Sequence, residues 1–206
     1  MKVIGITGGV GSGKSAVLDA VKAAYKAEIL KADELAQQLK LPGGICYEPL
    51  LQLLGEEILE EKAQPGEKPG IDNRKMAALI FVDKALLEKV NAIMHPRVRE
   101  EIVRRIESCR RQGEKDYFFL EAALLLEEGY DRVVDEMWYI YADEASRISR
   151  LRQSRGYTEA ASRAIMEKQL GEEEFRQRCD VIIDNSGTLE DAMRQVEKHL
   201  MGSIRK

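Results

Sequence analysis

Eight residues near the start of the chain restrict its fold more than any other stretch. Gly8-Gly9-Val10-Gly11-Ser12-Gly13-Lys14-Ser15 follow the apolar run Lys2–Ile6. They precede a segment in which Val17, Val21, Ala24 and Tyr25 recur at helical spacing. The context is therefore strand, glycine-rich loop, helix. Glycine loses more conformational freedom on folding than any other residue, so this density marks a place where the backbone itself must approach something. The pattern G-x-x-x-x-G-K-[ST] is that of a phosphate-binding loop. Consecutive N–H groups curl round an anion, and the helix that follows adds the partial positive charge of its N-terminus. Gly9, Gly11, Ser12, Gly13, Lys14, Ser15 and Ala16 form the expected binding set for a nucleoside triphosphate. Lys14 is placed to reach the terminal phosphates and the Ser15 hydroxyl to ligate Mg²⁺. The loop specifies binding and leaves open what becomes of the phosphate.

Four further segments read as strands: Glu28–Leu30, Tyr117–Leu120, Met137–Tyr141 and Val181–Ile183. Helical patterns separate them, which argues for an α/β fold on a parallel sheet. The interval 31–116 carries no strong strand signal, far more chain than a simple crossover requires. It is expected to hold an inserted helical subdomain, least ordered over Glu60–Asp72, where two Pro-Gly breakers fall. From Lys84 to Arg111 one apolar stripe (Leu86, Leu87, Val90, Ile93, Met94) gives way to another (Val98, Ile102, Val103, Ile106) after Pro96. The proline is expected to split two helices. Arg147–Arg178 reads as two or three short helices.

A chain of 206 residues, 44% hydrophobic, is long enough for one well-cored domain. A net charge of −4 offers no general basic field for nucleic acid. No apolar run approaches the ~18–20 residues that span a bilayer. The three cysteines are widely spaced, as in a reducing cytoplasm, and a cytoplasmic location is expected. Oligomeric state is left open.

Ligands of α/β sheets sit at the carboxyl ends of strands, so the residues just past each strand are the candidates. Asp33 follows the second strand and suits a catalytic base, or an N-cap for ELAQQL. Glu121 follows the third strand and suits orientation of substrate or metal-bound water, or a buried partner for a helix terminus. Asp184-Asn185-Ser186-Gly187 follows the fifth. Arg147, Arg150, Arg152 and Arg155 form two i,i+3 pairs that point in different directions, one expected to clamp phosphate and the other to be solvated. His95 reads as local structure, zinc is not expected, and Trp138 reads as core.

In order and content these features resemble the dephospho-CoA kinase family over nearly the whole chain. TGGVGSGKS is similar to the family's TGGIGSGKS, and LKADELAQQL to its "DAD" motif, whose second Asp matches Asp33. IDNRKMAALIF resembles "LDRxxLxxxVF", with Asn73 in the arginine's place and Arg74 one residue later. IMHPRV resembles the "HPxI" element and places His95, Pro96 and Arg97. RCDVIIDNSG resembles "ADxVIxNxG", whose Asn matches Asn185. Lys31 stands where the family has the first Asp of "DAD". EAALLLE (121–127) stands where it has "DxPLLFE". The lid pattern "QxxRLxxR" sets its Gln on Arg147, its first arginine on Arg150 and its second on Ser154, next to Arg155.

The resemblance implies a P-loop kinase fold: a five-stranded parallel sheet flanked by helices, with a helical substrate-binding insertion and a lid. It implies a nucleotide-binding core of 1–32, 115–143 and 179–206, an acceptor subdomain of 33–114 and a lid of 144–178. It further implies transfer of the γ-phosphate of ATP, with Mg²⁺, to the ribose 3′-hydroxyl of dephospho-CoA. Asp33, Lys14, Arg150 and Arg155 are then the catalytic set. Asp33, Arg74, His95, Arg97 and Glu121 meet the acceptor, Asn185 lies beside adenine, and Ser15 holds the metal. A kinase with a changed acceptor and a regulatory ATP-binding switch are the alternatives.

Overall fold

A computed structural model describes residues 1–61, 66–122 and 129–203. Five strands, β1 (Lys2–Thr7), β2 (Ala27–Lys31), β3 (Tyr117–Glu121), β4 (Glu136–Tyr141) and β5 (Val181–Asp184), form one sheet in the order β2-β3-β1-β4-β5. β1 pairs in parallel with β3 and β4, and β4 with β5. The expected α/β fold on an all-parallel five-stranded sheet is thus found. A strand covered on both faces reads as a continuous apolar run, and β1 is of that kind: Val3, Ile4 and Ile6 are fully buried.

The chain divides into two compact units, Met1–Leu30 with Ile106–Lys206, and Lys31–Arg105. In the first, helices α1 (Lys14–Ala24) and α9 (Leu189–Ser203) cover the sheet. Val17, Leu18, Val21, Ala192, Val196 and Leu200 close on Ile4, Phe119, Trp138 and Ile140. Trp138 lies in this core as expected, its indole N–H donating to Glu136 at 2.9 Å. The arginine-rich segment forms three helices, α6 (Glu144–Arg155), α7 (Glu159–Met166) and α8 (Glu172–Arg178). Arg163 of α7 pairs with Glu144 at the start of α6. Phe175 of α8 stacks on Tyr139 of β4 with centroids 4.7 Å apart.

The second unit contains α2 (Ala32–Leu39), α3 (Tyr47–Leu54), α4 (Asn73–Val82) and the first part of α5 (Lys84–Gln112). Its buried side chains include Leu35, Tyr47, Leu50, Ile58 and Ile102. The ends of the stretch expected to be least ordered are drawn together. Leu59 bridges Ile71, and Glu60 N–H donates to the Gly70 carbonyl at 3.0 Å. Residues 62–65 of that stretch lie outside the described residues.

Pro96 does not split the helix: α5 runs through it. Proline removes one main-chain bond and disturbs the preceding turn. The Arg97 guanidinium donates to the Ile93 carbonyl in that turn at 2.9 Å. Val90, Met94, Val98 and Ile102 are buried at a constant four-residue spacing across the proline, which is itself exposed. One buried stripe outweighs the lost bond.

Candidate active site

β1 delivers the chain into the glycine loop. Gly8, Gly11 and Gly13 take φ values of 152°, 78° and 86°, which side chains disfavour. A Cβ on Gly8 would stand 2.5 Å from the Ile140 carbonyl oxygen, and one on Gly13 would stand 2.4 Å from Asn185 Nδ2. The loop closes on itself where Ser12 N–H donates to the Gly9 carbonyl at 3.2 Å. It then enters α1 without a side-chain cap and without an acid in the first turn. The first amides of a helix have no intrahelical acceptor, and here no side chain at the N-cap takes one.

Side chains of the loop and of distant segments fasten the carbonyls of Gly8, Val10 and Ser12. Lys14 Nζ donates to Gly8 O at 2.7 Å. Arg147 Nε donates to Val10 O at 2.9 Å. Arg150 Nη1 and Asn185 Nδ2 donate to Ser12 O at 3.1 and 2.8 Å. In a trans peptide the N–H points opposite to the C=O. Fixing the carbonyls of residues 8, 10 and 12 therefore turns the N–H groups of Gly9, Gly11 and Gly13 the other way. Three cations on these peptides also make the loop electropositive, as an anion site requires.

Helix geometry explains which arginines take part. Arg147, Arg150 and the buried Leu151 share one face of α6. Asp143 caps that helix, accepting from Ser146 N–H at 2.8 Å, and this bond with the Ser146 hydroxyl holds its carboxyl below the usual range. Arg152 and Arg155, the other pair, are exposed. Arg155 lies over the Tyr157 ring at 6.0 Å, beside Gly156, whose φ of 67° ends the helix. Arg150 Nη2 also donates to Asn185 O at 2.6 Å, and Asn185 is buried.

The structure adds two residues to the loop's surroundings. Arg147 appears in the sequence as the i,i+3 neighbour of Arg150 and at the Gln position of the lid pattern. Gln169, in the turn after α7, belongs to no motif. Its Oε1 accepts from Val10 N–H at 2.9 Å and from Arg147 Nη2 at 3.2 Å. Only the fold could reveal a contact across that sequence distance.

Glu121 ends β3, in register with Ile6 beside the loop's entry. Residues 123–128, which include Ala123 and most of the EAALLLE stretch, lie outside the described residues. In the second unit the N-cap position of α2 is Lys31, so Asp33 is not a cap. It sits exposed in the first turn, where a carboxylate is favoured by the helix dipole. Lys31 pairs with Glu34 at 3.1 Å. Asp72 caps α4, accepting from Arg74 N–H at 2.8 Å, while the Arg74 side chain stands in solvent. Asn73 accepts from the buried Lys40 at 2.6 Å, and burial lowers the pKa of that ammonium. His95 is exposed on α5 and Arg97 half-buried.

Among the described residues no three His, Cys, Asp or Glu side chains group to hold a metal. The loop does offer hard oxygen donors. The Ser15 hydroxyl is exposed in the first turn of α1, and the buried Ser12 and Thr7 hydroxyls lack partners among the described residues. That donor set fits a Mg²⁺ ion carried on phosphate oxygens and not one caged by carboxylates. The thiols are unpaired, and burial pushes Cys179 up to about 12 and raises Cys46 and Cys109. No helix among the described residues is long and apolar enough to cross a membrane.

Comparison with known proteins bears on the same site. The dephospho-CoA kinase family model matches residues 2–191. The dephospho-CoA kinase of Symbiobacterium thermophilum is 33% identical over 197 residues, covering 96% of this chain and 79% of that one. That of Geobacillus kaustophilus is 34% identical over 193 residues, covering 94% and 92%. A Thermus thermophilus protein of solved crystal structure aligns with a TM-score of 0.78 at 29% identity, covering 98% of this chain and 97% of that one.

Proposed function

Because the chain belongs to the dephospho-CoA kinase family, we propose that it transfers the γ-phosphate of ATP to the ribose 3′-hydroxyl of dephospho-CoA, releasing coenzyme A and ADP. The observation that carries this reading is the glycine loop whose carbonyls at Gly8, Val10 and Ser12 accept from Lys14, Arg147, Arg150 and Asn185. Arg147, Arg150 and Asn185 hold the amides of Gly11 and Gly13 ready for a triphosphate, and preorganised donors are the main source of catalysis in phosphoryl transfer.

The roles follow from chemistry. Backbone amides of Gly9, Gly11, Ser12, Gly13, Lys14, Ser15 and Ala16 hold the phosphates. Lys14 exchanges the Gly8 carbonyl for phosphate oxygens. Arg150 and Arg155 neutralise the moving phosphoryl group, and Asn185 lies beside adenine. Mg²⁺, held by Ser15 and phosphate oxygens, would screen the charge on the β- and γ-phosphates. Asp33, exposed and without a capping duty, accepts the proton of the attacking hydroxyl. Arg74, His95, Arg97 and Glu121 meet the acceptor. In this reading 33–114 is the acceptor subdomain, 144–178 the lid and the remainder the nucleotide core, and the enzyme works in the cytoplasm on small molecules.

Lys31, in place of the family's Asp and paired with Glu34, favours one second reading, a kinase with a changed acceptor. The test is to incubate the protein with Mg-ATP and dephospho-CoA and to detect coenzyme A and ADP by mass spectrometry. Product from the wild type is expected, with kcat lowered about 10²–10⁴-fold in Asp33→Asn and ATP affinity retained. ATP binding without coenzyme A would move the reading to a changed acceptor.

A further inference from the structure

We propose that Gln169 and Arg147 form a two-point clamp on Val10, and that both are positioning residues for the triphosphate. The proposal rests on the reading of the loop as an ATP site. Three hydrogen bonds define the clamp. Gln169 Oε1 accepts from Val10 N–H at 2.9 Å, Arg147 Nε donates to Val10 O at 2.9 Å, and Arg147 Nη2 donates to the same Gln169 Oε1 at 3.2 Å. Both main-chain groups of one residue are thereby held, and the two side chains that hold them also hold each other.

The consequence for the loop is directional. Val10 N–H is engaged by Gln169, so it is not one of the phosphate donors. Val10 O faces Arg147, so the N–H of Gly11 in the same peptide plane faces away from it. Gly11 sits at φ 78°, and glycine alone would let this peptide flip at little steric cost. The clamp supplies the restraint that the glycines lack. A Cβ at Gly9 would stand 2.4 Å from Arg147 Nη2, and one at Gly11 would stand 2.9 Å from Arg147 O. Two glycines thus make room for the arginine and its helix as well as for an anion.

The clamp also has a location that couples it to the segment 144–178. Arg147 stands in the first turn of α6 and Gln169 between α7 and α8. Two separated points of the segment meet at a single loop residue, so a displacement of either frees the peptide. Neither residue needs to touch the reacting atoms.

The test is a double-mutant cycle read by equilibrium binding of Mg-ATP to the full chain, with thermal denaturation measured on each variant. Gln169→Leu and Arg147→Met are each expected to weaken ATP about tenfold. Because they act on one residue, the double variant is expected to lose far less than the product of the two. Unchanged affinity in both singles, or losses that multiply, would overturn the clamp. Gln169→Glu keeps both acceptor bonds and should bind ATP more tightly than Gln169→Asn, whose reach is one methylene shorter. Equal losses in those two would also count against it, and this pair carries the test should Gln169→Leu not fold. Binding of ATP is scored without the acceptor, so a protein that makes no coenzyme A would sink the proposed reaction and leave the clamp to be judged separately.

Discussion

At Gly8 the extended chain of β1 turns within reach of the backbone of β4, and a side chain there has nowhere to go. The obstacle to a Cβ is the Ile140 carbonyl, a fixed main-chain atom. At Gly9 the obstacle is the far end of Arg147, which can swing away at the expense of Val10. The two substitutions should therefore separate. Gly8→Ala is expected to lower the melting temperature by several degrees, from a strain of about 1–3 kcal/mol, and to abolish ATP binding. Gly9→Ala is expected to melt near the wild type and to bind ATP more weakly. Thermal denaturation with and without Mg-ATP checks both, and equal melting temperatures for the two variants would contradict the distinction. The glycine spacing, Lys14 and Ser15 were legible in the sequence because they form one contiguous motif between a strand and a helix. The work of Arg147 was half legible, through its helical partner Arg150. Gln169 was not legible, since its partner Val10 lies 159 residues away and a lone glutamine carries no pattern.

At the scale of elements, the sequence disclosed the five strands, because each is a short apolar run between helical periods. Between β4 and β5 it read as two or three short helices, and three are present. It misled at Pro96, where a local rule was overridden by a buried stripe that local reasoning cannot weigh. The caps decide how firmly these helices hold their functional side chains. Asp143 fixes the start of α6 and so the approach of Arg147 and Arg150. Its carboxyl is held below the ordinary value by the Ser146 bonds, so its stabilisation is fully present above the unfolded pKa of about 3.9. That stabilisation is lost as pH falls through the folded value. Asp143→Asn keeps a capping oxygen but cannot titrate. The melting temperature of the wild type should exceed that of this variant at pH 7, and the gap should close as the pH is taken below 4. Asp143→Ala should in addition lower kcat/KM. A gap that stays constant across that pH range would show that the carboxylate charge contributes nothing through the cap.

In the proposed reading the two substrates fall to different stretches of chain. The glycine loop and every side chain that fastens it lie in the unit of Met1–Leu30 and Ile106–Lys206. Asp33, Arg74, His95 and Arg97 lie in Lys31–Arg105. The long helical interval between β2 and β3 was legible in the sequence because a simple crossover does not need it. What the interval contacts was not, because exposed residues such as Asp33 and Arg74 carry no burial pattern. Amide hydrogen exchange can read the division directly. Mg-ATP should slow exchange in residues 8–16, in α6 and in the turn around Gln169, since closing on a triphosphate removes the local openings that expose those amides. Dephospho-CoA should slow amides of α2, α4 and the first part of α5. The buried core around Ile4 and Phe119 should be slow in every state, and changes there would report global stabilisation by ligand instead. If dephospho-CoA protected only the first unit, the acceptor roles of Arg74, His95 and Arg97 would fall. If it protected neither unit while ATP still protected the loop, the chain would be an ATP-binding member of its family with another acceptor. Lys31, the cation beside Asp33 where the family has an acid, would then be the first residue to exchange for Asp.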